Sequence, residues 1–396
     1  MESVLKANRE QLLAAVKLAI RFHQKSFGPL DGMLLIEGGD RGVTVSGINP
    51  GERRIDATIG CEPLADTWPE GVFVSGKLLS EILGLLPSPM VRIGWNDKTM
   101  AVEGYGIDGR SDATTLKVRQ DNATRALLKS APDDEAPYFL IGAAEFGALA
   151  GLATTARSGD ESRPTLTGVR IELMPDDDND TARLAFVCTD GYRLVKATTR
   201  VPYAGDGKRP INLLAPGVEM THMAGQRGVG DLKFVLFENK IEVSGLLAGD
   251  IAFRLVTHLS DGNYPNYAAI IPNVAGEVME VDLREFRRHL ATAKSFKRDD
   301  LRVDFEFGAD AVQLRCKDDE KGDFESRCPI TRLGTTEPVS MAMNMAYLES
   351  AVTGLLDLGI DDPTMHYHAD NRPFVLKGEK DHMSAVVVVM PMIIPK

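Results

Sequence analysis

Gly104-Tyr105-Gly106-Ile107-Asp108-Gly109 has the G-x-G-x-x-G spacing with which a glycine-rich turn approaches a pyrophosphate. That chemistry needs a helix next, so that its first N–H groups meet the phosphate. The chain continues instead as Ala113 to Val118, strand-like in composition, and nucleotide binding is set aside. His366-x-His368 would place two imidazoles on one face of a strand, as a metal pair requires, yet no third ligand stands nearby. Asp176-Asp177-Asp178-Asn179-Asp180 offers carboxylates for calcium but lacks the closing glutamate of a calcium loop, and Pro175 marks a connection between strands. Cys188 and Ser162 have no histidine base in a matching motif. No paired-carboxylate or phosphate-loop pattern appears. No catalytic residue, metal or cofactor is therefore assigned.

What remains is binding chemistry. Thr189-Asp190-Gly191-Tyr192-Arg193-Leu194 follows the apolar run Leu184 to Cys188 and leads into Val195 to Thr199. Asp-Gly signals a turn, because Asp tolerates the left-handed region and Gly enters it freely. Two readings stand: a plain strand connection, or a turn that presents a ring and a guanidinium. The chain's end, Ala385 to Ile394, reads as a last strand that Pro391 stops, with Met390 and Met392 at its loose margin. Adaptable thioethers beside an apolar groove suit a surface that accepts several partners.

The elements that must position these residues repeat. Val91 to Gly104, Leu232 to Gly245 and Met365 to Gly378 are each a strand, a polar turn and a strand, and they align without a gap. Helices are expected at Asn8 to Phe22, Ala143 to Ala153 and Asp282 to Lys294, with Glu10, Glu145 and Glu285 in equivalent places. A second series is expected at Ser75 to Leu86, Pro216 to Ala224 and Asn344 to Leu355. Leu12, Val16 and Ala19 or Ile20 give the first helix an apolar face. Ser75 caps a helix whose apolar face is Leu78, Leu79, Ile82 and Leu85. Val43 to Ser46 and Val303 to Phe307 alternate as half-buried strands. Periodicity lapses over Asp121 to Pro137 and again over Pro272 to Glu277. The reading is an α+β protein of three repeated domains, 1–133, 134–273 and 274–396, each with two helices and antiparallel sheets.

Composition agrees with this. Of 396 residues, 43% are apolar, and no run of about 18 apolar residues suggests a membrane span. No charged segment followed by an apolar core opens the chain, and the four cysteines, Cys61, Cys188, Cys316 and Cys328, lack C-x-x-C spacing. The expectation is a cytoplasmic protein with reduced thiols. A net charge of −12 argues against a protein coated in nucleic acid, while allowing basic residues gathered on one surface. Such gathering is visible at the ends of the first-series helices. Lys17, Arg21, His23 and Lys25 stand in the first, and Arg157 and Arg163 follow the second. Arg284, Arg287, Arg288, Lys294, Lys297 and Arg298 mark the third. A shared basic lining would meet DNA through phosphates, without reading bases.

Four segments together resemble one family, the bacterial sliding clamps, the beta subunits of DNA polymerase III. They are Thr189 to Leu194, like T-D-G-[HY]-R-L; Val389 to Met392, like V-M-P-M; Gly262 to Tyr267 with Pro272 behind it; and Asn344 to Leu348, like N-x-x-Y-L. The resemblance implies three clamp-fold domains per chain and two chains closed head to tail in a ring around double-stranded DNA. It implies no catalysis. It implies a peptide pocket walled by Leu166, Thr189, Gly191, Tyr192, Arg193, Leu194 and Pro265 on one side, with Asn344, Tyr347, Val388, Met390, Pro391 and Met392 on the other. The DNA contacts implied are Lys17, Arg21, Arg157, Arg284, Arg287, Arg288 and Lys294. The implied partners are the polymerase III alpha subunit, the clamp loader, and other polymerases and repair proteins carrying short motifs with a Gln and apolar anchors.

The chain departs from the family pattern at Ala269, where a basic residue is common, and in the tail Ile393-Ile394-Pro395-Lys396, which lacks the usual arginine. Phe27 to Gly32 replaces the usual proline-rich segment. Two other classes compete with the ring: an enzyme on a duplicated scaffold using Asp190 and Arg193, and a monomeric adaptor that kept only the pocket.

Overall fold

The computed structural model describes residues 4–22, 30–49, 53–105, 111–121, 136–177, 180–205, 209–272, 277–296, 301–318, 322–332, 338–367 and 372–392. Asn122 to Thr124, His23, Lys25, Lys297, Arg298, His368 and the tail beyond Met392 lie outside these residues. By contact density the chain divides into two compact units, Met1–Ala144 with Gln226–His258, and Glu145–Gly225 with Leu259–Lys396.

The helices arise where local signals place them. They are α1 (Arg9–Phe22), α2 (Gly76–Leu85), α3 (Ala143–Thr154), the short α4 (Pro164–Thr167), α5 (Gly217–Ala224), α6 (Leu283–Ala293) and α7 (Met345–Asp357). Four of them start on a side-chain cap, which satisfies N–H groups that the helix leaves unpaired. Asn8 Oδ1 accepts from Glu10 N at 2.9 Å and Gln11 N at 3.1 Å. Ser75 Oγ accepts from Leu78 N. Asp282 Oδ1 accepts from Arg284 N at 2.8 Å, and Asn344 Oδ1 from Ala346 N at 2.9 Å. Glu10, Glu145 and Glu285 all fall in a first turn, where a carboxylate meets the positive end of the helix dipole.

The first unit is built on one antiparallel sheet. It runs from Cys61–Pro63 through Leu5–Asn8, Met90–Trp95, Thr99–Tyr105, Ser111–Arg119, Val72–Ser75, Met33–Gly39, Gly42–Asn49 and Arg53–Ile59. It continues through Ile251–His258, Lys240–Leu247 and Gly228–Leu236 to Tyr138–Gly142. Leu12, Val16 and Ala19 of α1 are buried as expected. The face of α2 is corrected. Only Leu79 and Leu83 are buried among its large apolar side chains, whereas Leu78 is 45% and Leu85 85% exposed. Ser46 departs from alternation too: it is fully buried, and its hydroxyl donates to Asp56 at 2.6 Å.

In the second unit Ile211–Ala215, Val169–Pro175, Thr181–Thr189, Arg193–Ala204, Met383–Val389, Phe374–Lys380, Thr364–Tyr367, Glu277–Glu280 and Thr331–Arg332 form an antiparallel sheet. A separate four-stranded sheet is ordered Gly322–Pro329, Ala311–Asp318, Arg302–Phe307, Val339–Asn344. Val303, Phe305 and Phe307 alternate inward, and Phe307 stacks on Tyr367 at 4.8 Å. The three hairpins seen as repeats all form, but the third is out of register with the other two. Val91 pairs with Gly104, whereas Met365 pairs with Leu376 rather than Gly378. A gap-free repeat of sequence is therefore not a repeat of pairing, because turn geometry sets hairpin register.

Candidate functional site

The Thr189–Leu194 turn is held by its own side chains. Thr189 Oγ1 donates to Arg193 O at 2.7 Å and accepts from Gly191 N at 3.2 Å. Asp190 Oδ1 accepts from Tyr192 N at 2.9 Å and Arg193 N at 3.0 Å, an Asx turn. Gly191 has φ +93°, and a Cβ there would also stand 3.3 Å from Arg163 Nη1. The turn leaves Tyr192 63% exposed.

The last strand completes the site from the other side. Met383–Val389 pairs with Arg193–Ala204, with Leu194 opposite Val388. Met390 N then donates to Tyr192 O at 2.8 Å. Pro391 ends the ladder as expected, yet the tail is not loose through Met392, whose N–H donates to Ala342 O at 2.7 Å. Ala342 lies on the strand that leads into the Asn344 cap, so the tail reaches α7 through its entry strand.

Arg193 ties these parts together. Its Nε donates to Asp190 Oδ2 at 3.0 Å, its Nη1 donates to Ser350 Oγ at 3.0 Å, and its guanidinium lies 4.2 Å from the centre of the Tyr347 ring. Tyr347 and Ser350 are one turn apart on α7 and share a face. The Arg193 side chain is 16% exposed, so these contacts are made largely out of water. Burial, then the nearby Asp190 charge, pushes the Tyr347 phenol up, against the opposing pull of Arg193.

Beneath the turn, Leu194 and Val388 are 1% exposed and pack with Ala185, Val187, Tyr267 and Val375 in a buried cluster. Tyr264 and Ile271 pack on it, which lays the Asp261 to Tyr267 segment along the sheet. That segment is pinned by Tyr267 OH donating to Glu172 at 2.6 Å and by Lys196 Nζ donating to Tyr267 OH at 3.2 Å. Burial pushes both tyrosine phenols up. Pro265 is exposed, and Gly262 (φ +121°) approaches α4 so closely that a Cβ would sit 2.6 Å from Thr165 Cγ2. Leu166, half-buried on α4, accepts from Ser158 N at 2.9 Å through its carbonyl. All the expected pocket residues thus fall in one compact unit. Arg163, Asp190, Ser350 and the 43% exposed Ile270 adjoin or extend the set without having been assigned to it.

The basic residues fare unequally. Lys17 and Arg21 are exposed one turn apart on α1, with no carboxylate partner among the described residues. Arg157 is half-buried. Its Nη1 donates to Ser158 O at 3.3 Å, and its stem packs so tightly against Gly217 that a Cβ there would sit 2.2 Å from Arg157 Cδ. On α6, Arg284 pairs with Asp361 at 2.9 Å and Arg288 with Glu285 at 3.2 Å. Lys294 pairs with Glu349 at 2.9 Å, while Arg287 is exposed without an acidic partner among the described residues.

Other candidate chemistry finds structural uses. Asp176 accepts from Thr181 Oγ1 at 2.6 Å and pairs with Arg200 at 3.2 Å. Burial pushes the Cys188 thiol well up, away from any nucleophilic thiolate. Among the described residues no three His, Cys, Asp or Glu side chains are grouped to hold a metal. No helix among them is long and apolar enough to cross a membrane.

No protein-family model matches the chain. Among curated proteins it is similar to the beta sliding clamp of Synechococcus elongatus, 25% identical over 232 residues, 56% of each chain. It is 29% identical over 203 residues to that of Micrococcus luteus, covering 51% of this chain and 59% of the relative. These two alignments span little more than half of the relatives' length. A third, with the Streptomyces coelicolor beta sliding clamp, is 24% identical and covers 94% of this chain and 93% of the relative. Among solved structures, the Bacillus subtilis DNA polymerase sliding clamp superposes with a TM-score of 0.80 at 18% identity, over the whole of both chains. The DNA polymerase III subunit beta of Borrelia burgdorferi, solved with a natural product, superposes at 0.81 and 16%, also over both whole chains. The chain therefore has the clamp fold, mostly antiparallel sheet with few helices. Its sequence is similar to those of beta sliding clamps.

Proposed function

We propose that the chain is a DNA sliding clamp, a ring of two chains closed head to tail around double-stranded DNA, with no catalysis of its own. In this reading residues 1–133, 134–273 and 274–396 are three clamp domains, and the protein is cytoplasmic. It tethers the replicative polymerase to its template. The polymerase III alpha subunit, the clamp loader, and other polymerases and repair proteins insert short motifs beside Tyr192. The observation that carries this is the junction of turn, tail and α7 around Arg193, on a clamp fold, with Tyr192 left exposed beside Met390.

The order of elements supports a threefold repeat. A strand and a helix, several strands, a second helix and three closing strands recur around α1 and α2, α3 and α5, and α6 and α7. Two unpartnered features support a head-to-tail joint. Leu78, Ile82 and Leu85 are not buried by their own unit and recur at helical spacing on α2. Gly322–Pro329 is an edge strand of its sheet, with Phe324 stacked on Phe296 at 5.5 Å. An apolar helix face and an open edge are different surfaces, which suits a heterologous contact that closes after two copies. Sedimentation should place the native protein near twice the 43.1 kDa chain mass. Replacing Leu78 and Leu85 by Glu should leave single chains with unchanged circular dichroism. A native protein that sediments at one chain mass favours the monomeric adaptor and removes the ring.

A further inference from the structure

Of the helices α3, α5, α6 and α7, only α6 carries arginine or lysine, and Lys294 follows just beyond it. Most of that charge is already answered. Arg284 and Arg288 each have a carboxylate, and Lys294 Nζ donates to both oxygens of Glu349 at 2.9 Å. Glu349 is the more enclosed partner of the pair, its side chain 32% exposed against 53% for Lys294. It lines a groove of about 440 Å³ with Gly147, Gly151, Thr353 and Asp357, and among the described residues no lysine or arginine lines that groove.

We propose that Glu349 is a built-in competitor of the DNA backbone for Lys294, and that it keeps phosphate contact on this surface weak. The inference rests on the clamp reading above. When a free lysine meets a phosphate, the DNA sheds a condensed cation, and each such contact adds about 0.9 to the slope of log affinity against log salt. A lysine taken from Glu349 leaves a bare carboxylate that recruits a cation from solution. Uptake offsets release, so Lys294 contributes little slope while Glu349 is present. Arg287, Lys17 and Arg21 have no such partner among the described residues and carry the slope. For a ring that must move along DNA, fewer strong contacts mean lower friction.

The test is a salt titration of the full chain with a mixed-sequence DNA duplex, read by fluorescence anisotropy. Glu349→Gln keeps the shape of the side chain and removes its charge. It should tighten binding roughly threefold at moderate salt and steepen the slope by about 1. Lys294→Ala should remove the added slope in the Glu349→Gln background, a coupling that a double-mutant cycle isolates. Glu349→Ala serves as a second variant should the amide disturb α7. If neither Glu349 variant alters the slope while Arg287→Ala lowers it, the clamp reading stands and the competition does not. If no variant and no native protein binds the duplex, there is no phosphate contact for Glu349 to restrain and the inference fails, while the ring reading is decided separately by retention on circular DNA.

Discussion

Ending the chain at Val389 is expected to abolish binding of a short peptide carrying a Gln and Leu or Phe anchors, while the protein stays folded. The truncation removes Met390, Pro391 and Met392, and with them the hydrogen bonds from Met390 N to Tyr192 O and from Met392 N to Ala342 O. The last strand survives, because its pairing from Ser384 to Val389 with Arg193–Ala204 lies before the cut. The core beneath, Leu194 and Val388 included, keeps its packing. What is lost is an adaptable apolar wall beside Tyr192. An anchor side chain buried against such a wall gains about 1.5–3 kcal/mol. Losing the burial of two anchors therefore weakens a micromolar complex by more than a hundredfold, beyond detection by calorimetry. Ring closure should persist, since the α2 face and the Gly322–Pro329 edge are untouched. Undiminished peptide heat would place the pocket elsewhere. Dissociation into single chains would make the tail a structural strap instead.

Arg193→Ala is expected to cost both stability and peptide binding. The guanidinium answers a half-buried carboxylate on Asp190, donates to Ser350 and stacks on Tyr347. Hydrogen bonds to charged groups contribute about 1.5–3 kcal/mol, and a desolvated cation–π contact up to about 2. Removing them leaves Asp190 enclosed, 13% exposed, with only backbone donors. A net loss of about 3 kcal/mol follows, which lowers the melting temperature by roughly 6–12 °C for a unit of this size. Arg193→Lys should recover little, because one ammonium cannot span Asp190, Ser350 and the ring at once. The comparison separates charge from geometry. Full recovery by lysine would mean that only the positive charge matters and that the Tyr347–Ser350 brace is incidental.

Local signals in the sequence were enough for much of the architecture. Caps at Asn8, Ser75, Asp282 and Asn344 are short-range hydrogen bonds, so residue type and spacing locate the helix starts. The Thr189–Leu194 turn is equally local, since Asp190 satisfies N–H groups two and three residues on. What escaped was partner choice across long separations. Helical spacing grouped Leu78, Ile82 and Leu85 with Leu79, but periodicity does not say which apolar residues the chain itself covers. Pairing of Met365 with Leu376 does not follow from the third hairpin's likeness in sequence to the first. Arg193 was legible as an orienting cation; its partners on α7 come from far along the chain. The basic cluster on α6 was legible as charge, while its neutralisation by Asp361 and Glu349 was not. Ser350 could have been found, because it follows Tyr347 by one turn of a helix already expected there.

The central claim is that retention on DNA comes from topology rather than affinity. With basic helix ends partly neutralised and a net charge of −12, open binding to duplex should be weak and salt-sensitive. The most direct measurement loads the protein onto nicked circular DNA with a clamp loader, isolates the complex by gel filtration at high salt, and then linearises half of it. A ring should remain on the circle and run off the linear molecule. Equal loss from both forms would contradict the account, and so would equal retention.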